Sequence, residues 1–523
     1  MVRTPRRQPH ATEQQTMSTD ITSFDTVLLP SPCSRERMPV SNRPERPPYT
    51  WLLIPSIVGL LVVALLLGAM NAADRPAAIM ALVNITATVI FCHRFVAVNP
   101  VVGLIPALFI IPLMVLTCFT TLYCCLFNPE LAVRPGRTSF RLLDGNVRFQ
   151  FATLLAIVSY SIPWLLLGPR ERLPMTYAAF VEHARRMAKP VFFFFITFIS
   201  LLVTLRLARI GPDTAVGYIV YGFFRYGNGL VLLPGACWHR LGRTTKTLIM
   251  GVLAVNFLFN TFTNSRYYAF MPIIYFGLGL LFLSQISTRR KLQSIAVLVV
   301  IFGFALVVGN AGRRLGLGLW YGGAEDLQRR VEVLTQKTDE LVGQNWADGI
   351  FTRIFFTGGH QIVTLIPETV PYKPFDPVYY FGEVVTQGLL PRKLAGALVP
   401  PVYEEKSKLA AIGHRLTEFH SVERSFVGSA WEMGGPIMVV LVSGLTGLYS
   451  ILIARILQAL FGISGGLGVV AFAVVCDRTF VCITEGLPSV AHEMLYGVII
   501  GSFLYGLIRL ADTCNPLRAR GPA

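Results

Sequence analysis

A chain of 523 residues with 53% hydrophobic residues, 14% charged residues and a mean hydropathy of +0.57 is far more apolar than a water-soluble domain of that length. The composition excludes a soluble enzyme and calls for a membrane protein. The formal charge of +17 sits mostly in short loops and in the N-terminal tail, where it reads as an orientation signal and not as a footprint for nucleic acid.

Residues 1–49 are rich in Arg, Pro, Ser and Thr and lack apolar periodicity, the composition of a disordered tail. No cleavable leader pattern opens them, so the first apolar run is expected to act as an uncleaved anchor, with Met17 and Met38 as alternative starts. Crossing about 30 Å of hydrocarbon takes roughly 20 apolar helical residues, and the runs here are too long and unbroken for barrel strands. Residues 50–311 hold nine such runs: Trp51 to Met70, Pro76 to Phe95, Val101 to Phe127, Phe149 to Leu167, Pro190 to Leu207, Thr214 to Cys237, Thr247 to Thr263, Tyr267 to Ile286 and Leu292 to Gly309. Residues 312–435 form a long polar interval, and 436–511 hold three more runs, Pro436 to Ala454, Ile463 to Ile483 and Val490 to Leu510, before a short tail at 512–523. The predicted fold is an all-α polytopic membrane bundle of about twelve spans with one large outer loop.

Basic residues in short loops set the orientation. Arg170, Arg172, Arg185, Arg186 and Lys189, then Arg240, Arg243 and Lys246, then Arg289, Arg290 and Lys291, share one face if the N-terminus is cytoplasmic. Both termini then lie in the cytoplasm and the 312–435 loop faces outward. Arg134, Arg137 and Arg141 fall on the outer side in this scheme and run against the rule.

Within the loop, Leu327, Val331, Leu334 and Leu341 recur at helical spacing among charges, as in an amphipathic helix lying on the membrane or on the bundle. The apolar stretch Ile350 to Val370 is broken by Gly358-Gly359 and reads as a short interfacial or re-entrant helix; Pro371, Pro374 and Pro377 then enforce an extended turn. The charged segment Glu404 to Arg424 runs into Ser425-Phe-Val-Gly-Ser-Ala-Trp-Glu-Met-Gly-Gly435 and a new apolar run. The nine cysteines show no metal-ligand spacing and mostly sit within apolar runs, so they read as buried thiols.

Ionisable groups inside spans are costly and are functional candidates by default. Arg225 stands mid-span among Gly217, Gly222, Gly227 and Gly229, and Arg206 and Arg209 lie near the outer end of the preceding span. Asp477 with Arg478, and His492 with Glu493, sit in the last two spans, where structural ion pairing is the competing reading. On the outer side the arginines Arg206, Arg209, Arg266, Arg313, Arg314, Arg353, Arg392 and Arg424 accumulate where the orientation rule thins them out. Guanidinium forks match phosphate oxygens bidentately, so such a group calls for an anionic partner.

The order of many spans, a large outer loop, Leu390-Pro391-Arg392 late in that loop and the Ser425 to Gly435 lead-in, with Asn264-Ser-Arg266 before a span, resembles bacterial oligosaccharide repeat-unit polymerases of the O-antigen (Wzy) type. The chain departs from that pattern after Pro391-Arg392, where Lys393-Leu-Ala-Gly-Ala-Leu-Val-Pro-Pro401 lacks an aromatic and a Lys-Pro. The resemblance implies transfer of a glycan from undecaprenyl pyrophosphate to another lipid-linked repeat unit, outside the inner (plasma) membrane, in the making of O-antigen or exopolysaccharide. Substrate lipid, a flippase and a chain-length regulator are the implied partners, with no nucleic acid and no cofactor or metal. Arg266, Arg392, Arg225 and Arg353, with Arg424, Arg206 and Arg209 behind them, are the candidates for holding the pyrophosphate. His420 or Glu432, with His360 and Glu423 in reserve, are the candidates for taking the acceptor proton. A ligase moving finished glycan to another acceptor, and a lipid-linked glycan flippase, are the alternatives.

Overall fold

Every regular element among the described residues is helical, one of the two arrangements that satisfy a backbone in lipid. The computed structural model describes residues 57, 59, 75–126, 146–170, 175–208, 210, 214–262, 266–298, 300–301, 328–329, 332, 426–485 and 487–513. The helices are α1 (Arg75–Val98), α2 (Leu104–Met114), α3 (Thr120–Leu126), α4 (Asn146–Leu167), α5 (Tyr177–Leu207), α6 (Ala215–Gly227), α7 (Leu232–Ala236), α8 (Arg243–Phe262) and α9 (Arg266–Leu278). Helix α10 covers 288–298, and the chain closes with α11 (Phe426–Ile463), α12 (Gly465–Glu485) and α13 (Leu487–Thr513).

Among the described residues, six helical stretches are long and apolar enough to cross a membrane: Arg75–Val98, Leu104–Tyr123, Val147–Leu167, Tyr177–Leu207, Gly434–Ile463 and His492–Ala511. Their outward faces carry Leu166, Ile437 and Ile463 at 70% exposure or more. Such a surface is unfavourable in water and suited to lipid.

Helix α12 is the hub. Every residue from Val469 to Thr479 is buried, and α12 packs against α2, α5, α6, α11, α13 and the 3₁₀ turn Asn228–Val231. A helix apolar on all sides belongs in the centre of a bundle, and only Asp477, Arg478 and Thr479 interrupt its apolar run of buried side chains. The rest of the core is aromatic: Phe109 stacks on Tyr160 at 4.0 Å, and Tyr160 and Trp164 on α4 both donate to Ser450 on α11.

Several elements differ from the sequence expectation. Thr214 to Cys237 is not uniformly α-helical: α6 runs to Gly227, a tighter 3₁₀ turn covers Asn228–Val231, and α7 follows, with right-handed helical backbone at each joint. The glycines at 227 and 229 flank a polar Asn in that turn, and Gly229 lets the turn close on α12, since a Cβ there would collide with the Ala473 carbonyl and the Asp477 side chain. Arg185, Arg186 and Lys189, expected in a loop, belong to α5, which is 31 residues long and so roughly 46 Å by the helical rise. That exceeds the hydrocarbon thickness, so its first turns extend past it, supported by Thr176 as N-cap and by Glu182 paired with Arg185 and Arg186.

The contacts also group the connections by end. Asn99 donates to the Pro169 carbonyl, Tyr177 to the Leu283 carbonyl, and Arg240 pairs with Glu182 at 3.5 Å. The connections following α1, α4, α7 and α9 therefore lie at one end of the bundle, with the Arg185, Arg186 and Arg240 charges among them. At the other end, Gln150 bonds Asn84 and Thr121, and Arg206 bonds Asn260. Thr121 and Gln150, which stand side by side, flank in sequence the Arg134 to Arg141 segment, which lies outside the described residues.

The Ser425 to Gly435 lead-in is not a simple approach to a span. Phe426, Val427, Ala430 and Trp431 are buried in the core, with Phe426 edge-on to Phe109 at 5.1 Å, so the chain is already inside the bundle before the crossing begins. Gly435 then bends α11 with φ 67° and ψ −148°, a backbone conformation nearly exclusive to glycine, and Pro436 follows. Gly435→Ala is expected to cost about 1–3 kcal/mol, read as a lower melting temperature of the detergent-solubilised protein. An unchanged melting temperature would mean the bend is not fixed by this residue.

Candidate functional site: a buried ion quartet

The polar centre of the bundle is built where α12, α13 and α6 meet. Arg478 on α12 is fully buried, and its guanidinium is committed in three directions. Nε donates to Asp477 Oδ2 at 2.9 Å and a terminal nitrogen reaches the same oxygen. Another terminal nitrogen donates to Glu493 Oε2 on α13 at 3.2 Å, and a third bond goes to the Arg225 carbonyl on α6 at 3.1 Å. The Tyr226 ring covers the cation at 4.5 Å. Glu493 in turn faces Arg225, with 3.7 Å between its Oε1 and an Arg225 nitrogen.

With both acids ionised the four groups sum to zero, the condition under which charge is tolerated away from water. Their exposure is unequal, however. Asp477 and Arg478 are 0% exposed and Glu493 4%, whereas the Arg225 side chain is 35% exposed. One guanidinium thus stands at the edge of the cluster with a buried frame behind it. Tyr275 on α9 donates to the Asp477 carbonyl at 3.3 Å. Asp477 Oδ1 and both amide atoms of Asn228, in the 3₁₀ turn beside it, are buried without a hydrogen-bond partner among the described residues. Buried polar atoms in that condition mark a place where water or a polar ligand group is accommodated.

Arg206 occupies a separate site. It is 1% exposed, and donates to Tyr221 at 3.3 Å and to Asn260 at 3.1 Å. The rings of Tyr221, Phe259 and Tyr268 lie 5.8–5.9 Å from its guanidinium carbon. Asn260 is itself held by Asn256, which donates to the Tyr268 carbonyl, so α5, α6, α8 and the start of α9 are tied together here. Arg206, expected as part of a pyrophosphate clamp, is enclosed by protein in this arrangement.

Of the other predicted residues, Arg266 opens α9 and Glu432 lies in the first turns of α11, and only their backbone positions are described. Arg209, Arg353, Arg392, Arg424, His360, His420 and Glu423 lie outside the described residues. His492 stacks on Tyr496 at 4.0 Å, and Glu493 meets Arg478 at 3.2 Å and Arg225 at 3.7 Å. Asp477 and Arg478 pair as the alternative reading allowed, but as half of a larger cluster. Sequence reasoning missed Tyr226, Tyr275 and Asn228. Tyr226 was within reach, because an aromatic next to an intramembrane Arg is a ready cation–π partner; Tyr275 lies 202 positions from Asp477 and has no local signature. The five cysteines whose side chains are described, Cys92, Cys118, Cys125, Cys237 and Cys476, are buried thiols, as packing residues are.

No protein-family description, curated protein or solved structure matches this chain.

Proposed function

We propose that the protein is an inner-membrane glycosyltransferase of the repeat-unit polymerase type, crossing the membrane about twelve times with the 312–435 segment on the periplasmic side. In this reading the glycosidic bond to undecaprenyl pyrophosphate breaks and a bond forms from the same sugar carbon to an acceptor hydroxyl oxygen. The acceptor proton passes to a base, His420 or Glu432 with His360 and Glu423 in reserve, and the lipid pyrophosphate leaves with the bonding electrons. Arg225, with Arg266, Arg392 and Arg353, neutralises the charge that develops on the leaving group.

The observation that carries the reading is the position of Arg225: a guanidinium among apolar helices, partly accessible, and braced through its carbonyl and through Glu493 by the buried Arg478. Donors fixed before the reaction need no reorganisation when charge appears, which is what a pyrophosphate-leaving reaction asks of a site in low dielectric. The grouping of Arg185, Arg186 and Arg240 at one end of the bundle, with Arg206 at the other, supports cytoplasmic termini under the orientation rule.

A ligase and a lipid-linked glycan carrier are the alternatives. Purified protein given an undecaprenyl-linked repeat unit separates the readings. A polymerase yields a ladder of longer lipid-linked glycans, with and without a chelator. A ligase yields product only when a separate acceptor is added, and a carrier moves the unit across vesicles with no covalent product.

A further inference from the structure

We propose that the groove between α8, α9 and α10 is a binding site for one anionic diacyl phospholipid, taken from the leaflet that borders the basic end of the bundle. The groove has a volume of about 870 Å³ and its lining changes character along its length. At one end stand Lys246 and Arg290 with Trp238 and Ser287; further in, it is lined by residues such as Leu253, Phe257 and Ile301. Lys246 and Arg290 supply two positive charges at the same mouth, and Trp238 sits beneath the Lys246 ammonium at 5.5 Å, an arrangement suited to the headgroup level.

The dimensions fit a lipid. Helix α8 rises roughly 16 Å from Lys246 to Phe257, and the chain from Arg290 to Ile301 is of the same helical length, close to one leaflet of a bilayer whose hydrocarbon is about 30 Å thick. The groove also opens sideways: Met250 and Val297, on opposite walls, are 47% and 56% exposed among the described residues. A ligand with a phosphate at one end and a hydrocarbon tail entering laterally matches each of these features, whereas a soluble anion would leave the apolar interior unfilled. Basic pockets between membrane helices are recognition sites for anionic headgroups on the same physical grounds. The inference does not rest on the glycosyltransferase reading, because the groove's basic mouth is at the opposite end of the bundle from Arg206 and its lining shares no residue with the ion quartet.

The test is native mass spectrometry of the purified full chain released from nanodiscs made of equal parts phosphatidylglycerol and phosphatidylcholine. The wild type is expected to retain one phosphatidylglycerol at least tenfold in preference to phosphatidylcholine. Lys246→Ala with Arg290→Ala is expected to remove that preference, and Met250→Trp, which fills the groove without touching a charge, to remove the bound lipid altogether. A melting curve for each variant distinguishes loss of the site from loss of the fold. Retention of both lipids in equal amount, retention unaffected by either variant in folded protein, or displacement of the lipid by millimolar inorganic phosphate would each overturn the proposal.

Discussion

Arg478→Ala is expected to be among the most destabilising single substitutions in the bundle, at about 3–5 kcal/mol. The argument rests on what remains and not on what is lost. Asp477 is 0% exposed and its Oδ2 accepts two bonds from Arg478, while Oδ1 has no hydrogen-bond partner among the described residues. Truncating the arginine leaves that carboxylate buried with its counter-charge gone, and Glu493 keeps only the longer contact to Arg225. Removing both members is predicted to be milder than removing one. Arg478→Leu combined with Asp477→Leu should recover about 1–3 kcal/mol relative to Arg478→Leu alone, the coupling expected of residues in one network. Thermal melts in detergent, with the amount of protein accumulating in membranes as a second readout, measure both. Equal stability of the single variant and the wild type would show that the quartet is not a structural keystone.

The sequence made the apolar spans legible because one dominant physical constraint, the thickness of hydrocarbon, fixes their length. The run expected at Phe149 to Leu167 is helix Asn146–Leu167, and that at Val490 to Leu510 lies within Leu487–Thr513. Where a second constraint competed, legibility fell. The N-terminal turns of α5 carry too many charges to read as a span, yet Glu182 satisfies Arg185 and Arg186 at helical spacing and the helix simply continues. At 227–229 the pattern Gly-Asn-Gly was visible, but its effect depends on α12 approaching closely enough to require Gly229, which is a tertiary fact. The same holds for the quartet. Arg225, Asp477, Arg478 and Glu493 were each conspicuous as charges in apolar surroundings, but Arg478 reaches across 253 positions to the Arg225 carbonyl and 15 to Glu493, and no local period encodes those distances. His492 and Glu493 are adjacent in sequence, but neighbours in a helix point about 100° apart, so Glu493 turns inward to the arginines while the His492 ring lies along its own helix on Tyr496, one turn on.

Arg225→Ala separates a structural role from a chemical one more cleanly than any other change in the quartet. Its side chain is the most exposed of the four, and Glu493 keeps its 3.2 Å bond to Arg478 when Arg225 is truncated. The stability loss should therefore stay near that of an exposed ion pair, up to about 1 kcal/mol, and the protein should accumulate normally in membranes. If Arg225 meets the pyrophosphate, glycan chain extension should nevertheless fall by about 10²–10³-fold, the effect of deleting one preorganised donor to a developing anion. Arg225→Lys keeps the charge but not the planar fork, so it should fall between the wild type and alanine. Arg266→Ala and Arg392→Ala, assayed in parallel, should behave like Arg225→Ala if the clamp is shared. Full chain extension by Arg225→Ala, in protein as stable as the wild type, would remove Arg225 from the mechanism and leave the quartet as a strut between α6, α12 and α13.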